Sequence, residues 1–292
     1  MAPPDIHAGT RNGVIRLRDG RALAYAEWGP TDGRPVLHCH GVPDGRLSWG
    51  GGPVCVDRGV RLITVDRPGI GGSDPKPGRS VAEWPADVEE LVEQLELGRF
   101  AVSGWSAGGA YALACASELG ARLDAVALVG GSGRLDHPGF VDQMSTAAAW
   151  KLAKHAPPAM TFAYSTLARL ARRSPRVAQK VIAAGASKAD RAVISRQDVG
   201  PRLVSAYVEA SRQRGKGMTE DMQALLSPWG FDPSEIRLPV HVVHGRRDTV
   251  VPPAHAEYWI ETLREANIVW VEGAGHFLIE DQVEKILDLV AT

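Results

Sequence analysis

The chain has 292 residues, enough for one large domain or for one domain with an insertion. Its 33 Lys and Arg residues nearly balance 34 Asp and Glu residues, which excludes a strong overall field favouring nucleic acid or a membrane surface. No apolar signal-peptide core opens the sequence, no apolar run could span a bilayer, and three cysteines without C-x-x-C spacing suit a reducing compartment. We therefore expect a cytoplasmic protein.

The first half of the chain alternates short apolar runs with turns and helical patterns. Residues 14–18 and 21–27 flank Asp19-Gly20, which predicts a hairpin with a type I′ turn. A helix is expected from an N-cap at Ser80 to Leu97, because apolar residues recur at helical spacing there. Buried strands are predicted at residues 35–40, 60–65, 100–103 and 125–129.

A stretch of about one hundred residues then interrupts this alternation. It is rich in Ala, Arg and Ser and indicates successive helices divided by prolines. Strands at 240–244 and 268–271 and helices at 253–264 and 280–290 follow. This alternation predicts an α/β fold with a mostly parallel sheet and helices on both faces. We expect a core domain of residues 1–133 and 236–292 and an inserted helical cap of residues 134–235.

The expected cap carries 15 Lys and Arg residues against 9 Asp and Glu residues. Such an excess could draw anionic or carboxylate-bearing substrates toward a cleft. The simpler interpretation is a set of solvated helix faces. The sequence leaves both open.

The most informative stretch is residues 100–119. A short apolar strand leads into Gly104-Trp105-Ser106-Ala107-Gly108, and a helix-forming segment follows. A G-x-S-x-G sequence between a strand and a helix is typical of a nucleophile elbow. There the serine takes a strained conformation, and the glycines keep side chains out of the crossing. An ordinary glycine-rich turn is the alternative.

Four further motifs occur in an order that resembles a known superfamily. They are His40-Gly41-Val42-Pro43, the run from Asp66 to Ser73, Gly245-Arg246-Arg247-Asp248 and Gly273-Ala274-Gly275-His276. With the Ser106 turn, the chain resembles the α/β-hydrolase fold superfamily, in its serine-nucleophile, esterase- and lipase-like branch with a helical cap. The resemblance covers nearly the whole chain outside the insertion.

This resemblance implies a catalytic triad of Ser106, Asp248 and His276, in the chain order nucleophile, acid, histidine. The histidine would take the serine proton, and the aspartate would orient the imidazole. The oxyanion would be bound by the backbone N–H groups of Val42 and Ala107. Asp136 and Asp232 are alternatives for the acid, although neither directly follows a late strand as Asp248 does.

The predicted function is hydrolysis of a carboxylic ester, lactone or thioester through a serine acyl-enzyme, without cofactor or metal. His38 and His40 form an H-x-H pair, but no third metal ligand is apparent at suitable spacing. Arg67 is expected to fix a loop by an ion pair, with a substrate clamp as the alternative. A serine at the elbow disfavours the aspartate-nucleophile haloalkane dehalogenases and epoxide hydrolases of this superfamily.

A ligand-binding protein, a lyase or cyclase, or a carbon–carbon bond hydrolase of the same fold is the alternative function. The partner would be an apolar or carboxylate-bearing small molecule, and a homodimer is possible. Aromatic residues of the elbow, the oxyanion loop and the cap could contact substrate, with simple packing as the alternative; they are Trp49, Trp105, Trp150, Phe162, Tyr164, Tyr207 and Trp229.

Overall fold

The computed structural model describes residues 9–49 and 51–291. Within them, eight strands form a sheet in the order β1-β2-β4-β3-β5-β6-β7-β8. The strands are β1 (Arg11–Arg16), β2 (Ala22–Trp28), β3 (Arg34–Cys39), β4 (Val60–Val65), β5 (Phe100–Trp105), β6 (Leu123–Val129), β7 (Val240–Gly245) and β8 (Ala266–Val271). The β1–β2 and β2–β4 pairs are antiparallel, and every other neighbouring pair is parallel. The predicted fold class, an α/β fold with a mostly parallel sheet, is confirmed.

Twelve α-helices accompany the strands in the described residues. They are α1 (Gly52–Asp57), α2 (Trp84–Gln94), α3 (Gly108–Glu118), α4 (Phe140–Gln143), α5 (Ala147–His155), α6 (Pro157–Arg173), α7 (Pro175–Ala184), α8 (Lys188–Ile194), α9 (Gly200–Ala210), α10 (Lys216–Leu225), α11 (Pro253–Thr262) and α12 (Val283–Val290). Short 3-10 helices lie at Val81–Glu83, Gly120–Arg122, Ser211–Gln213, Pro233–Glu235 and His276–Glu280.

The sheet is buried on both faces. Successive residues of β3 and β4 point to opposite sides, so Leu37 and Ile63 join one apolar cluster while Val36 and Leu62 join the other. Helices α2, α3 and α11 contribute buried residues to the first cluster, and α1 and α12 contribute to the second. Burial on both faces explains why the parallel strands are nearly continuous apolar runs in the sequence.

The hairpin forms, but its turn differs from the predicted type I′. A type I′ turn needs positive φ at both central residues. Of the turn residues, only Gly20 has positive φ, at 88°. The Gly20 N–H donates to the Leu17 carbonyl, and the Leu17 N–H donates to the Arg21 carbonyl, both at 2.8 Å. The connection is thus a three-residue loop whose last residue is a left-handed glycine.

The helix expected from Ser80 to Leu97 is shorter than predicted. Ser80 lies at the predicted N-cap position, where the Glu83 carboxylate accepts its N–H at 2.7 Å. A 3-10 turn comes first, and α2 ends at Gln94. Glu96 has φ of 53°, which is incompatible with a continuing right-handed helix.

Helices α4 to α10 occupy the chain between β6 and β7, as the pattern of residues 134–235 predicts. Prolines lie in the first turns of α6, α7 and α9, where a missing N–H costs no helical hydrogen bond. Helix α10 lies against the loop after β4, since a Cβ atom added to Gly217 would lie less than 3.0 Å from the Gly69 backbone. The division into a core and a cap domain stays a prediction.

None of the helices in the described ranges is long and apolar enough to cross a membrane. The expected cytoplasmic location also stays a prediction.

Candidate active site

Ser106 lies at the sharp turn between β5 and α3, with φ of 57°. The turn is possible because the crossing is built from glycines. A Cβ atom added to Gly104 would lie less than 3.0 Å from the Gly108 backbone, and one added to Gly108 would lie equally close to the Cys39 carbonyl. The Ser106 N–H donates to the Val129 carbonyl at 2.9 Å, which fixes the turn to the next strand. A strained strand–turn–helix geometry of this kind is what a nucleophile elbow requires.

His276 and Asp248 meet at the carboxyl ends of β7 and β8. His276 Nδ1 lies 2.8 Å from Asp248 Oδ2, and both side chains are buried. The other carboxylate oxygen of Asp248 accepts the backbone N–H groups of Val250 and Val251 at 2.9 and 2.8 Å. The Asp248 carboxylate is therefore held by the loop that carries it, and it holds one nitrogen of the imidazole.

Burial alone would lower the pKa of His276, because a charged imidazolium loses hydration. The charge and hydrogen bond of Asp248, with a further contribution from the charge of Asp190, reverse this and raise the pKa above its ordinary value. The pair thus favours a protonated imidazole in a buried setting. His276 and Ser106 line the same cavity. In the part of the chain that the structure describes, no hydrogen bond joins their side chains.

The loop after β3 lies against the Ser106 turn. A Cβ atom added to Gly41 would lie 3.3 Å from Ser106 Cβ and 3.2 Å from the Trp105 ring. Among the described residues, the backbone N–H groups of Val42 and Ala107 have no acceptor. Both amides are therefore available to an oxygen atom bound beside Ser106.

Arg67 holds this loop from behind and is itself fully buried. Its guanidinium donates to the carbonyls of His40 and Gly41 at 2.6 and 2.9 Å. The same group pairs with Asp221 of α10, at 2.7 Å for the shortest contact. The hypothesis that Arg67 fixes a loop through an ion pair agrees with this geometry, which leaves no guanidinium edge facing a substrate.

Asp221 makes two further contacts through its fully buried carboxylate. Arg79 and the Tyr111 hydroxyl donate to Oδ1 at 3.0 and 2.7 Å. Burial would raise the pKa of Asp221, but Arg67 and Arg79 outweigh it and hold the pKa below its ordinary value. Helix α10 thereby supplies the counter-charge for the arginine that holds the His40–Gly41 loop.

A cavity of about 430 Å³ extends from Ser106 and His276 under helices α5, α6, α7 and α9. Its wall is largely apolar and includes Met144, Met160, Leu167, Ile182, Leu203, Met222 and Val250. Val181 and Gly185 also lie in the wall and are exposed, so the cavity opens to solvent beside α7. Asp44 is the one carboxylate in the wall within the described residues, and burial raises its pKa to about 7.

The aromatic residues predicted for the pocket divide into two groups. Four line the cavity, namely Trp105, Trp150, Tyr164 and Tyr207. Three lie elsewhere: Trp49 packs on His38, Phe162 is 68% exposed, and Trp229 packs between Phe231 and Trp259. For these three, packing or surface exposure takes the place of a position in the cavity wall.

The remaining candidates are accounted for by local hydrogen bonds. Asp136 pairs with Arg134 at 2.6 Å, and Asp232 accepts the Ser234 N–H at 2.9 Å, so neither meets His276. His38 lies 2.9 Å from the Ser103 hydroxyl, and His40 Nδ1 lies 2.8 Å from the Gly41 carbonyl. The two histidines of the H-x-H pair thus have separate structural partners.

Two buried carboxylates that the sequence pattern does not indicate, Asp190 and Asp221, reach the site from the helices between β6 and β7. Each belongs to a helical segment whose composition resembles a solvated surface. The available signal is weak, because each is simply an acidic residue in a stretch that contains many basic ones. Only the folded arrangement reveals their partners.

Comparison with known proteins identifies the family. The family model of the alpha/beta hydrolase fold matches residues 34–283. The chain belongs to this family. The resemblance noted in the sequence is thereby confirmed, and the expectation of an enzyme of this fold agrees with the names that its relatives carry.

Two curated relatives and one solved structure illustrate the range. A non-heme chloroperoxidase of Streptomyces lividans is 37% identical over 99 residues, which span 33% of this chain and 36% of that protein. A pimeloyl-[acyl-carrier protein] methyl ester esterase of Aromatoleum aromaticum is 27% identical over 81% of this chain and 88% of that protein. A thermophilic esterase from Thermogutta terrifontis superposes with a TM-score of 0.70 at 22% identity, covering 97% of this chain and all of that one.

The buried contacts of Asp221 should contribute to the free energy of unfolding. Asp221→Asn should lower the free energy of unfolding by about 3–5 kcal/mol, because Arg67 would keep its charge in a buried site without a full counter-charge. Urea denaturation followed by circular dichroism measures this.

A matched exposed pair provides the control. Asp142→Asn removes a carboxylate 2.7 Å from Lys151 at the surface and should change the free energy of unfolding by less than about 0.5 kcal/mol. Equal effects of the two substitutions would contradict the structural role given to Asp221.

Proposed function

We propose that the protein is a serine hydrolase that cleaves a carboxylic ester, lactone or thioester through an acyl-enzyme on Ser106. The observation that carries the proposal is that Ser106, with its left-handed backbone, lines one cavity with Val42 and with His276, which lies 2.8 Å from Asp248. Among the described residues, the amides of Val42 and of Ala107, which directly follows the serine, have no acceptor. Family membership supports the same chemistry, and several relatives are named esterases.

In the proposed mechanism His276 acts first as general base. Its free nitrogen takes the Ser106 proton while the serine oxygen attacks the acyl carbon, and the imidazolium that forms is stabilised by Asp248. The N–H groups of Val42 and Ala107 would donate to the oxyanion of the tetrahedral intermediate. His276 then returns the proton to the leaving alcohol or thiol. In the second half-reaction His276 takes a proton from the water that attacks the acyl carbon, and it then returns this proton to Ser106 as the acid is released.

The cavity suggests the substrate class. A largely apolar wall beside Ser106 favours an uncharged acyl group of medium size, since burial of apolar surface would supply most of its binding free energy. Asp44 in the wall, in its ionised form, disfavours a substrate carboxylate close to it. The sequence allows an apolar or a carboxylate-bearing substrate, and we therefore propose the apolar one. Helices α4 to α10 would act as a cap that encloses this group.

Labelling with a fluorophosphonate tests the nucleophile. Wild-type protein should gain one adduct by intact mass and Ser106→Ala none, because only a serine activated by His276 attacks the phosphorus at a useful rate. Ser106→Ala should also lower kcat/KM for a short-chain p-nitrophenyl ester by at least about 1,000-fold.

Ser132→Ala is the matched control. Ser132 is a buried serine whose N–H donates to the Ser106 carbonyl at 3.2 Å, and its hydroxyl has no partner among the described residues. This variant should label like the wild type. Absence of an adduct on folded wild-type protein would favour a ligand-binding role, and labelling of Ser106→Ala would assign the nucleophile elsewhere.

The size of the cavity should limit the length of the acyl chain that the enzyme prefers. Leu167→Trp should shift the preferred acyl chain to fewer carbons and lower kcat/KM for octanoyl relative to acetyl esters by about tenfold, because the larger side chain fills space in the cavity that Ser106 also lines. Phe162→Trp, five residues earlier on α6 but outside the cavity, should leave the ratio unchanged. An unchanged ratio in Leu167→Trp would show that the acyl group lies elsewhere.

A further inference from the structure

Helix α8 brings a buried carboxylate to the loop that carries His276. Asp190 is 1% exposed, and its Oδ1 accepts the Phe277 N–H at 2.8 Å. Its Oδ2 lies 2.7 Å from the Ser187 hydroxyl, which in turn caps α8 by accepting the Asp190 N–H at 3.1 Å. The carboxylate is thus fixed by its own helix on one side and holds the histidine loop on the other.

Gly275, on the other side of His276, makes this approach possible. A Cβ atom added there would lie less than 3.0 Å from both oxygens of Asp190. The φ of Gly275 is −98°, a value that any residue adopts, so backbone strain does not explain the glycine. The absence of a side chain at this position lets a carboxylate from a different part of the chain lie against the backbone on both sides of His276.

The charged groups around His276 come from several elements. Asp248 follows β7, Asp190 comes from α8, and the buried imidazoles of His244 in β7 and His255 in α11 act on it at longer range. Glu280, in the 3-10 helix of His276, is paired with Arg202. Within residues 9–49 and 51–291, by contrast, Asp190 forms no ion pair with any Lys or Arg. Its negative charge is therefore available to an imidazolium.

We propose that Asp190 is a positioning residue of the active site, which fixes the His276 loop through the Phe277 amide and stabilises the imidazolium by its charge. The inference rests on the proposed hydrolase function. Because Asp190 belongs to the helices between β6 and β7, this charge reaches His276 only when α8 lies against the loop. The helical segment would therefore complete the catalytic machinery, in addition to shaping the cavity.

Asp190→Asn separates charge from shape. The amide can still accept the Phe277 N–H and donate to the Ser187 hydroxyl, so the loop should stay in place. Loss of the negative charge should move the acid limb of the kcat/KM profile to lower pH by about 0.5 to 1 unit, since the imidazolium is less favoured. The same loss should lower the plateau of kcat/KM about three- to tenfold.

Asp198→Asn is the control for a general charge effect. Asp198 lies in the same helical stretch, is exposed, and pairs with Arg196 at 2.8 Å. Its substitution should leave the pH of the acid limb unchanged and the plateau of kcat/KM within about twofold of the wild-type value. A profile of Asp190→Asn that coincides with the wild type, or a shift equal to that of Asp198→Asn, would overturn the proposal.

A double variant tests the contact with Gly275. Gly275→Ala alone should lower kcat/KM by about tenfold, because the new methyl group displaces the carboxylate. In an Asp190→Ser background the same substitution should cost less than twofold, since the clash is relieved. Equal costs in both backgrounds would contradict the proposed contact.

Fluorophosphonate labelling separates this inference from the proposed function. If Ser106 is labelled but the pH profile of Asp190→Asn is not shifted, only the role of Asp190 is rejected. If folded wild-type protein is not labelled, the proposed hydrolase function itself is rejected.

Discussion

The left-handed backbone of Ser106 is the constraint on which the rest of the site depends. A φ of 57° at a residue with a side chain is held only by surrounding structure, and here the crossing of β5 and α3 holds it. Glycines at positions 104 and 108 allow the strand, the helix and the end of β3 to approach within a distance that a single methyl group would prevent. Once that crossing is closed, the Ser106 side chain, the Ala107 amide and the Gly41–Val42 loop have defined places.

Three buried carboxylates then fix what surrounds the serine. Asp248 orients the imidazole, Asp221 neutralises the arginine behind the Gly41–Val42 loop, and Asp190 holds the loop on the far side of His276. Charges without partners are costly in such surroundings, so each carboxylate is matched by amides, hydroxyls or a guanidinium. Two of the three come from the helices between β6 and β7. This segment therefore contributes to the electrostatics of the site as well as to its walls.

The parts predictable from the sequence are those with a local signature. Alternating strands and helices, the N-cap at Ser80 and the glycines around Ser106 follow from periodicity, local hydrogen bonding and short-range sterics, and the structure contains them. The turn after Leu17 was misassigned because Asp-Gly fits both a type I′ turn and a three-residue loop with a left-handed glycine. Asp190 and Asp221 had no local signature, since their partners are distant in the chain. Aromatic residues such as Phe162 and Trp229 could not be sorted, because helical spacing does not say which side faces the cavity.

An acyl-enzyme on Ser106 is the central claim, and partitioning of the acyl group tests it most directly. Esters that share one acyl group but differ in leaving group would be turned over in water containing methanol, and the ratio of acid to methyl ester would be measured. A common acyl-enzyme predicts one constant ratio for every leaving group, because water and methanol compete for the same intermediate. A ratio that changes with the leaving group would contradict the acyl-enzyme and indicate direct attack of water on the bound substrate.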